Sequence, residues 1–228
     1  MSSIFTVISS LLVIIMLLRW ITRYGTSVRD KWLGIAALLL WTIVTAAMGA
    51  SGVLTDFSTM PPPFAPFLLA VLLTAIVAAA SPWGGRFADA TPMRVLIGMQ
   101  AFRVLPEALL DLAWRDGVAP IQMTFHGRNA DLITAIVATA LAIAWPRLAQ
   151  QRRWAKGFSI LGLALLANIV TIAVLSTPMP FRLFMNEPAN TFVTHFPYVW
   201  LPGIHVWTAL FLHLLLLRQL WRKRPEHS

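Results

Sequence analysis

The chain has 228 residues, of which 58% are hydrophobic and 12% charged, with a mean hydropathy of +0.72. A soluble domain runs close to half apolar, so this excess does not fit inside one globular core and most of the chain must be solvated by lipid. The formal charge of +9 comes from basic residues at the ends of apolar runs rather than on one polar face, which excludes nucleic acid as a partner, and the lack of cysteine excludes disulfides and thiolate chemistry.

Seven apolar runs are long enough, or nearly so, for a hydrocarbon core that needs about 20 helical residues. They cover residues 4–22, 32–54, 64–81, 93–114, 130–148, 158–177 and 199–221. The first has no basic residue before it and no small-residue cleavage site after it, so it reads as a retained helix rather than a leader. Pro61, Pro62 and Pro63 precede the third run, Ser81 and Pro82 follow it, and Pro178 and Pro180 follow the sixth. No polar linker is long enough to join two domains. The expectation is one all-α domain over residues 1–228, a seven-helix transmembrane bundle.

Basic residues orient this bundle. With the amino terminus outside, 14 of the 18 Lys and Arg residues fall at the inner face: Arg19, Arg23, Arg29, Lys31, Arg86, Arg94, Arg147, Arg152, Arg153, Lys156, Arg218, Arg222, Lys223 and Arg224. Arg115, Arg128 and Arg182 fall outside, and Arg103 lies mid-span. Such an excess marks the cytoplasmic side, and it alternates correctly only for an odd number of spans. The inner connections are short, whereas the outer loops 117–129 and 178–198 are longer and mix aromatic with polar residues, as functional loops on a rigid scaffold do.

The fourth run carries a charged stripe. Gln100, Arg103, Glu107, Asp111 and Arg115 recur at spacings of three and four, within a sector about 120° wide. A charge at membrane depth costs about 2.5–3.5 kcal/mol, so the stripe must face the bundle or a water-filled cavity. Arg103 and Glu107 are spaced to pair at i,i+4, which leaves Asp111 to Arg115 or to another helix. Pro106 cannot donate to the carbonyl of Phe102, so a kink is expected there. The stripe is either a binding pocket or ion path, or a structural ion-pair network that fixes helix packing.

The outer loops add two polar clusters. Around His126-Gly127-Arg128-Asn129, Gly127 turns the chain, Asn129 caps the fifth helix and Asp131 complements its dipole, which leaves Arg128 without a structural explanation. The segment from Pro178 to Asn190 holds Arg182, Asn186, Glu187 and Asn190 among aromatic residues and reads as an interfacial lid. Asn168, within the sixth run, is expected to bond between helices.

Histidine chemistry is thin. His205 and His213 share the last helix, but a separation of eight puts them about 80° apart, unlike a chelating i,i+4 pair. His126 and His195 could meet with Glu187 or Asp131, yet no metal-ligand motif supports that, and no metal site is assigned. A haem between helices needs only one or two axial ligands, so a cofactor stays open. The lysines, all at the inner interface, exclude a retinal-type chromophore, and no Gly-x-Ser-x-Gly elbow is present.

Two stretches resemble a known family. Met123-Thr124-Phe125-His126-Gly127-Arg128-Asn129 is similar to the outer-loop signature of a family of small bacterial integral membrane proteins of unknown function. Phe181-Arg182-Leu183-Phe184-Met185-Asn186-Glu187-Pro188-Ala189-Asn190, then Phe196-Pro197-Tyr198-Val199-Trp200-Leu201-Pro202, resembles the segment before that family's last helix, and His213 with Arg218-Gln219-Leu220 is similar too. The resemblance covers the second half of the chain. It implies a multi-pass protein of a bacterial cytoplasmic membrane and brings no activity. His126 stands where the pattern has an acid, and His205 and Trp207 stand in a region expected to be apolar with a proline, which counts against a shared ligand role for either histidine.

The expected site is therefore an outer-half polar pocket walled by Arg103, Glu107, Asp111, Arg128, Asn129, Arg182, Asn186, Glu187 and Asn190. It would bind or pass a small polar or lipidic ligand from the bilayer, or the protein would serve as a membrane subunit of a larger assembly. The alternative is an enzyme of the outer leaflet, with Glu107 or Asp111 as acid or base and Arg128 or Arg182 gripping an anionic head group. The topology is directly testable. A reporter active only in the cytoplasm should work when fused after Ser228 and fail when inserted between residues 58 and 62; activity at both positions rules out the orientation.

Overall fold

The computed structural model describes residues 1–221, so Arg222, Lys223 and Arg224 of the basic tally lie outside the described residues. The described residues are all-α, with no strand. Helix α1 spans Ser2–Tyr24 and α2 Val28–Ala50, the latter starting four residues before the expected run because the Ser27 side chain accepts from the Asp30 N–H at 3.0 Å. It stops just ahead of Gly52, whose φ of +73° suits a residue without Cβ. Helix α3 (Phe64–Ala80) ends where Ser81 caps the short α4 (Pro82–Ala90), and the two axes bend by 66°.

The fourth run is realised in three pieces: α5 (Met93–Met99), a 3₁₀ turn (Gln100–Arg103) and α6 (Val104–Arg115). Pro106 supplies the reason. It removes one helical donor and crowds the preceding turn, which tightens just ahead of it. Next come α7 (Leu132–Ala144), α8 (Gln151–Leu175), a π-helical segment (Leu201–Val206) and α9 (Trp207–Trp221).

Four of the helices, Ser2–Tyr24, Val28–Ala50, Gln151–Leu175 and Leu201–Trp221, are long and apolar enough to cross a membrane; a fifth qualifies if α3 and α4 are one bent span. The fourth run is broken and the fifth is short, so neither meets that length criterion as one straight helix.

Contacts sort the helix ends into two groups. At one end the Asp116 carboxylate, just past α6, accepts from the Ser2 N–H at 2.7 Å and the Ser2 hydroxyl at 2.7 Å, capping the start of α1 from outside the helix. The same hydroxyl is 2.7 Å from the Tyr198 hydroxyl, and the Phe196 N–H donates to the Gly49 carbonyl at 3.2 Å. At the other end Arg218 of α9 donates to the carbonyls of Ala79 and Ser81, both at 2.6 Å, and so caps α3. There Arg86 of α4 grips Asp30 of α2, and Trp20, Trp83, Phe87 and Phe211 stack into an aromatic cluster. Helices α1 and α2 thus run in opposite directions, α3 and α9 end on the same side, and α9 packs against α3, α5 and α8.

The Asp116 cap has a pH signature. The Ser2 N–H, then its hydroxyl and the terminal ammonium, hold this carboxyl well below its ordinary value of 3.8. A carboxyl depressed on folding contributes stability that is complete above its unfolded pKa and is lost as pH falls toward its folded value. In detergent, the gap in melting temperature between the parent and Asp116→Asn should be widest near neutral pH and should close below about pH 4. A gap that stays constant down to about pH 3 contradicts the cap.

Candidate functional site

The charged stripe does not act as one surface. Its members fan out to different elements as the helix passes through the 3₁₀ turn. Gln100 donates to the Ala209 carbonyl of α9 at 3.0 Å, a packing contact. Arg103, only 1% exposed, does not pair with Glu107 as the i,i+4 spacing suggests. Its Nε donates to Asp131 Oδ2 at 2.7 Å, and its Nη2 contacts Asp131 Oδ1, a two-point grip on a residue 28 positions along the chain. Its Nη1 donates to the Gly162 carbonyl of α8 at 3.0 Å and lies 3.4 Å from His213 Nε2 of α9. The guanidinium therefore ties together four elements at one buried point.

Asp131 sits at the start of α7, where its charge suits the positive end of the helix dipole, as expected. Its larger role is to neutralise Arg103. Asn129 aims it: Asn129 Oδ1 accepts from the Asp131 N–H at 3.0 Å, and Thr134 Oγ1 donates to Asp131 Oδ1 at 3.2 Å. The Asn129 amide also donates to the Met123 carbonyl at 3.1 Å and to Glu107 Oε1 at 2.7 Å. One polar chain thus runs from Glu107 through Asn129 and Asp131 to Arg103. Glycines make room for it. A Cβ on Gly162 would lie 2.3 Å from His213 Nε2, and one on Gly127 would lie 2.3 Å from the Ile121 carbonyl in the loop that carries Asn129.

Charge in this cluster is unequally matched. Asp131 takes the only guanidinium, and among the described residues no cation stands in salt-bridge contact with Glu107. Its Oε2 is buried and unpartnered, as is Asn190 Oδ1. Asn190 is held by its Nδ2, which donates to the Ala173 carbonyl at 2.9 Å, and by its backbone N–H on the Ser176 carbonyl at 2.8 Å. A native fold rarely leaves such oxygens empty, because each costs about 1–3 kcal/mol.

Both residues line an internal cavity of about 70 Å³. Arg103, Asp131 and His205 complete its polar lining, and His205 Nε2 meets Ser10 Oγ at 3.1 Å. The rest is apolar: Phe64 and Leu68 of α3, Ile169, Val170 and Val174 of α8, and Leu201, Pro202 and Val206 of the π-helical segment. Leu68, Ile169, Val170, Val174 and Val206 are half-buried, so the apolar wall reaches the outer surface of the bundle.

The structure gathers Arg103, Glu107, Asn129 and Asn190 of the expected site and sets the other members apart. Asp111 pairs with the largely exposed Arg115 at 2.8 Å and lies 3.3 Å from His126, away from the cavity lining. Arg128 stands exposed with its guanidinium 5.3 Å from the centre of the Phe184 ring, and its carbonyl accepts from Asn168 at 3.1 Å. Arg182 is consumed inside its own loop, donating to the carbonyls of Phe184 and Asn186 at 2.8 Å each and to Glu187 at 3.0 Å. Asn186 and Glu187 are exposed, and Leu183 and Met185 face outward, as an interfacial segment requires. His126 and His195 have separate neighbours, Asp111 with Trp114 and Thr191 with Thr194, and among the described residues no three ligand-type side chains gather around a metal position.

Asp131, His213 and Gly162 are the members that sequence reasoning passed over. Asp131 looked fully explained as a helix-start acid, and nothing local links it to Arg103. An accounting of buried charge, with one mid-span cation and two stripe acids, carried no signal for a third acid. Comparison of the chain with protein-family profiles, curated proteins and solved structures returned no match.

The pairing is testable by double substitution. Arg103→Met and Asp131→Leu should each cost about 3–5 kcal/mol of stability, because each strands a buried charge, and the double variant should recover most of it. Arg103→Met with Glu107→Leu should recover little. Unfolding in mixed detergent micelles reads all four proteins. Rescue by Glu107→Leu instead of Asp131→Leu would restore the i,i+4 pair.

Proposed function

We propose that this chain is a seven-span protein of a bacterial cytoplasmic membrane, amino terminus outside, and that it binds a small amphipathic ligand entering sideways from the bilayer. The basic-residue bias supports the orientation, and the ends of α1 and α6 on one side and of α3 and α9 on the other are compatible with it. The broken fourth run is tolerable at membrane depth because its irregular turn lies against protein.

The observation that carries the binding reading is the composition of the cavity wall. Unpartnered oxygens on Glu107 and Asn190 sit in an otherwise apolar chamber whose half-buried walls on α3 and α8 face lipid. A water-soluble polar ligand gains little from such walls, whereas an amphiphile leaves its chain in the bilayer and inserts only its head. The role is non-enzymatic. Neither outer arginine lies at the cavity, which removes support for a site that grips an anionic head group, and carboxylates alone define no reaction.

A long-chain alcohol carrying a diazirine near its head, incorporated into nanodiscs with the full chain, should label residues of α3 and α8. Val170→Trp and Leu68→Trp, which fill the lateral wall, should reduce that labelling several-fold without lowering the melting temperature. Labelling spread evenly over the lipid-facing sides of α1 and α2, and indifferent to both tryptophans, contradicts the reading.

A further inference from the structure

We infer that the cavity selects a hydroxyl group: its ligand is an uncharged single-chain primary alcohol rather than a fatty acid, a phospholipid, an amine or a carbonyl compound. This rests on the binding reading above and adds the chemistry of the head group.

The argument is one of complementary donors and acceptors. Asn190 gives its amide N–H to the Ala173 carbonyl, which fixes its orientation and leaves Oδ1 as an acceptor only. A ligand that satisfies Asn190 must therefore donate. Glu107 Oε2 accepts when the carboxyl is ionised and can donate when it is protonated. A hydroxyl, with one donor and two acceptor positions, donates to Asn190 Oδ1 and accepts from Glu107 when that carboxyl carries its proton, so one group completes both. A carbonyl or ether oxygen only accepts, so it leaves Asn190 stranded.

Charge narrows the choice further. A carboxylate or phosphate would enter a cluster that already holds Glu107 and Asp131, where the single cation is bound at two points by Asp131. The guanidinium already lies against Asp131 through Nε and Nη2 and against the Gly162 carbonyl through Nη1, so its charge is matched before any ligand enters. An ammonium would have to shed its water in a largely apolar chamber, a far larger penalty than a neutral hydroxyl meets. Size completes the selection. A cavity of about 70 Å³ holds a few water-sized groups, enough for a hydroxyl with its first methylenes and small for a two-chain head group. The remaining chain passes between Leu68 and Val170, whose side chains are half-buried.

The test uses the full chain in nanodiscs and four photoreactive probes with the same alkyl chain and the diazirine in the same place: the primary alcohol, its methyl ether, the carboxylic acid and the primary amine. At the cavity residues of α3 and α8, the alcohol should label about tenfold more than each of the others, the ratio that one well-made buried hydrogen bond supports. Asn190→Leu should bring alcohol labelling down toward that of the methyl ether and leave the ether unchanged, a pattern that simple loss of structure does not produce. The four-probe comparison on the parent chain decides the matter even if that variant does not fold. Equal cavity labelling by all four, or an amine or acid that exceeds the alcohol, overturns the hydroxyl inference while cavity binding stands. No cavity labelling by any probe overturns both.

Discussion

A single buried guanidinium organises the centre of this protein. Arg103 is almost wholly removed from solvent, and such a charge persists only where it is paired and hydrogen-bonded. Asp131 occupies two of them, the Gly162 carbonyl takes a third, and His213 sits beside that contact. Because these partners belong to α7, α8 and α9, neutralising one charge fixes the positions of three helices relative to α6. Hydrophobic packing cannot provide this in a membrane, where lipid tails solvate apolar side chains as well as other helices do. Polar contacts then specify which helix faces meet.

The same economy recurs at the two ends of the bundle. Helix ends leave backbone groups unpaired, and several of these are closed here by residues distant in sequence. Asp116 caps the start of α1, and Arg218 caps the end of α3. Trp41 and Trp83 donate their indole N–H groups to the carbonyls of Gly203 and Asp30 at 2.8 and 3.0 Å. Each bond pins one helix end or helix face to a neighbour, so the apolar surfaces between them need only fill space. The central ion pair and these peripheral caps together set the register of the bundle.

That arrangement leaves a remainder. Arg103 is matched by Asp131, so Glu107 is a second carboxyl without a cation, held on one side by Asn129 and open on the other. Asn190 is likewise half satisfied, held by its amide on α8. A buried oxygen left without a donor is costly, and an apolar side chain in its place would avoid that cost. Both unpaired oxygens belong to residues that line one chamber whose half-buried apolar wall reaches the surface of the bundle.

The sequence by itself determined the all-α character and the several helices long and apolar enough to cross a membrane, and its basic residues set the expected orientation. These follow from one-dimensional physics: lipid solvates long apolar stretches, prolines and glycines end them, and basic residues stay on one side. It also flagged Arg103, Glu107, Asn129 and Asn190, since a charge inside an apolar run or a polar residue in an outer loop stands out locally. Only the tertiary structure decided who pairs with whom. Arg103 and Asp131 are separated by a whole loop, whereas Glu107 is one turn away and looks the better partner on a straight helix. The 3₁₀ turn ahead of Pro106 and the approach of α7 reverse that preference. Arg128 and Arg182 show the opposite case: both were expected in the pocket, but Arg128 lies over an aromatic ring and Arg182 is held by Glu187 and the carbonyls of its own loop, contacts that exist only once the chain has folded.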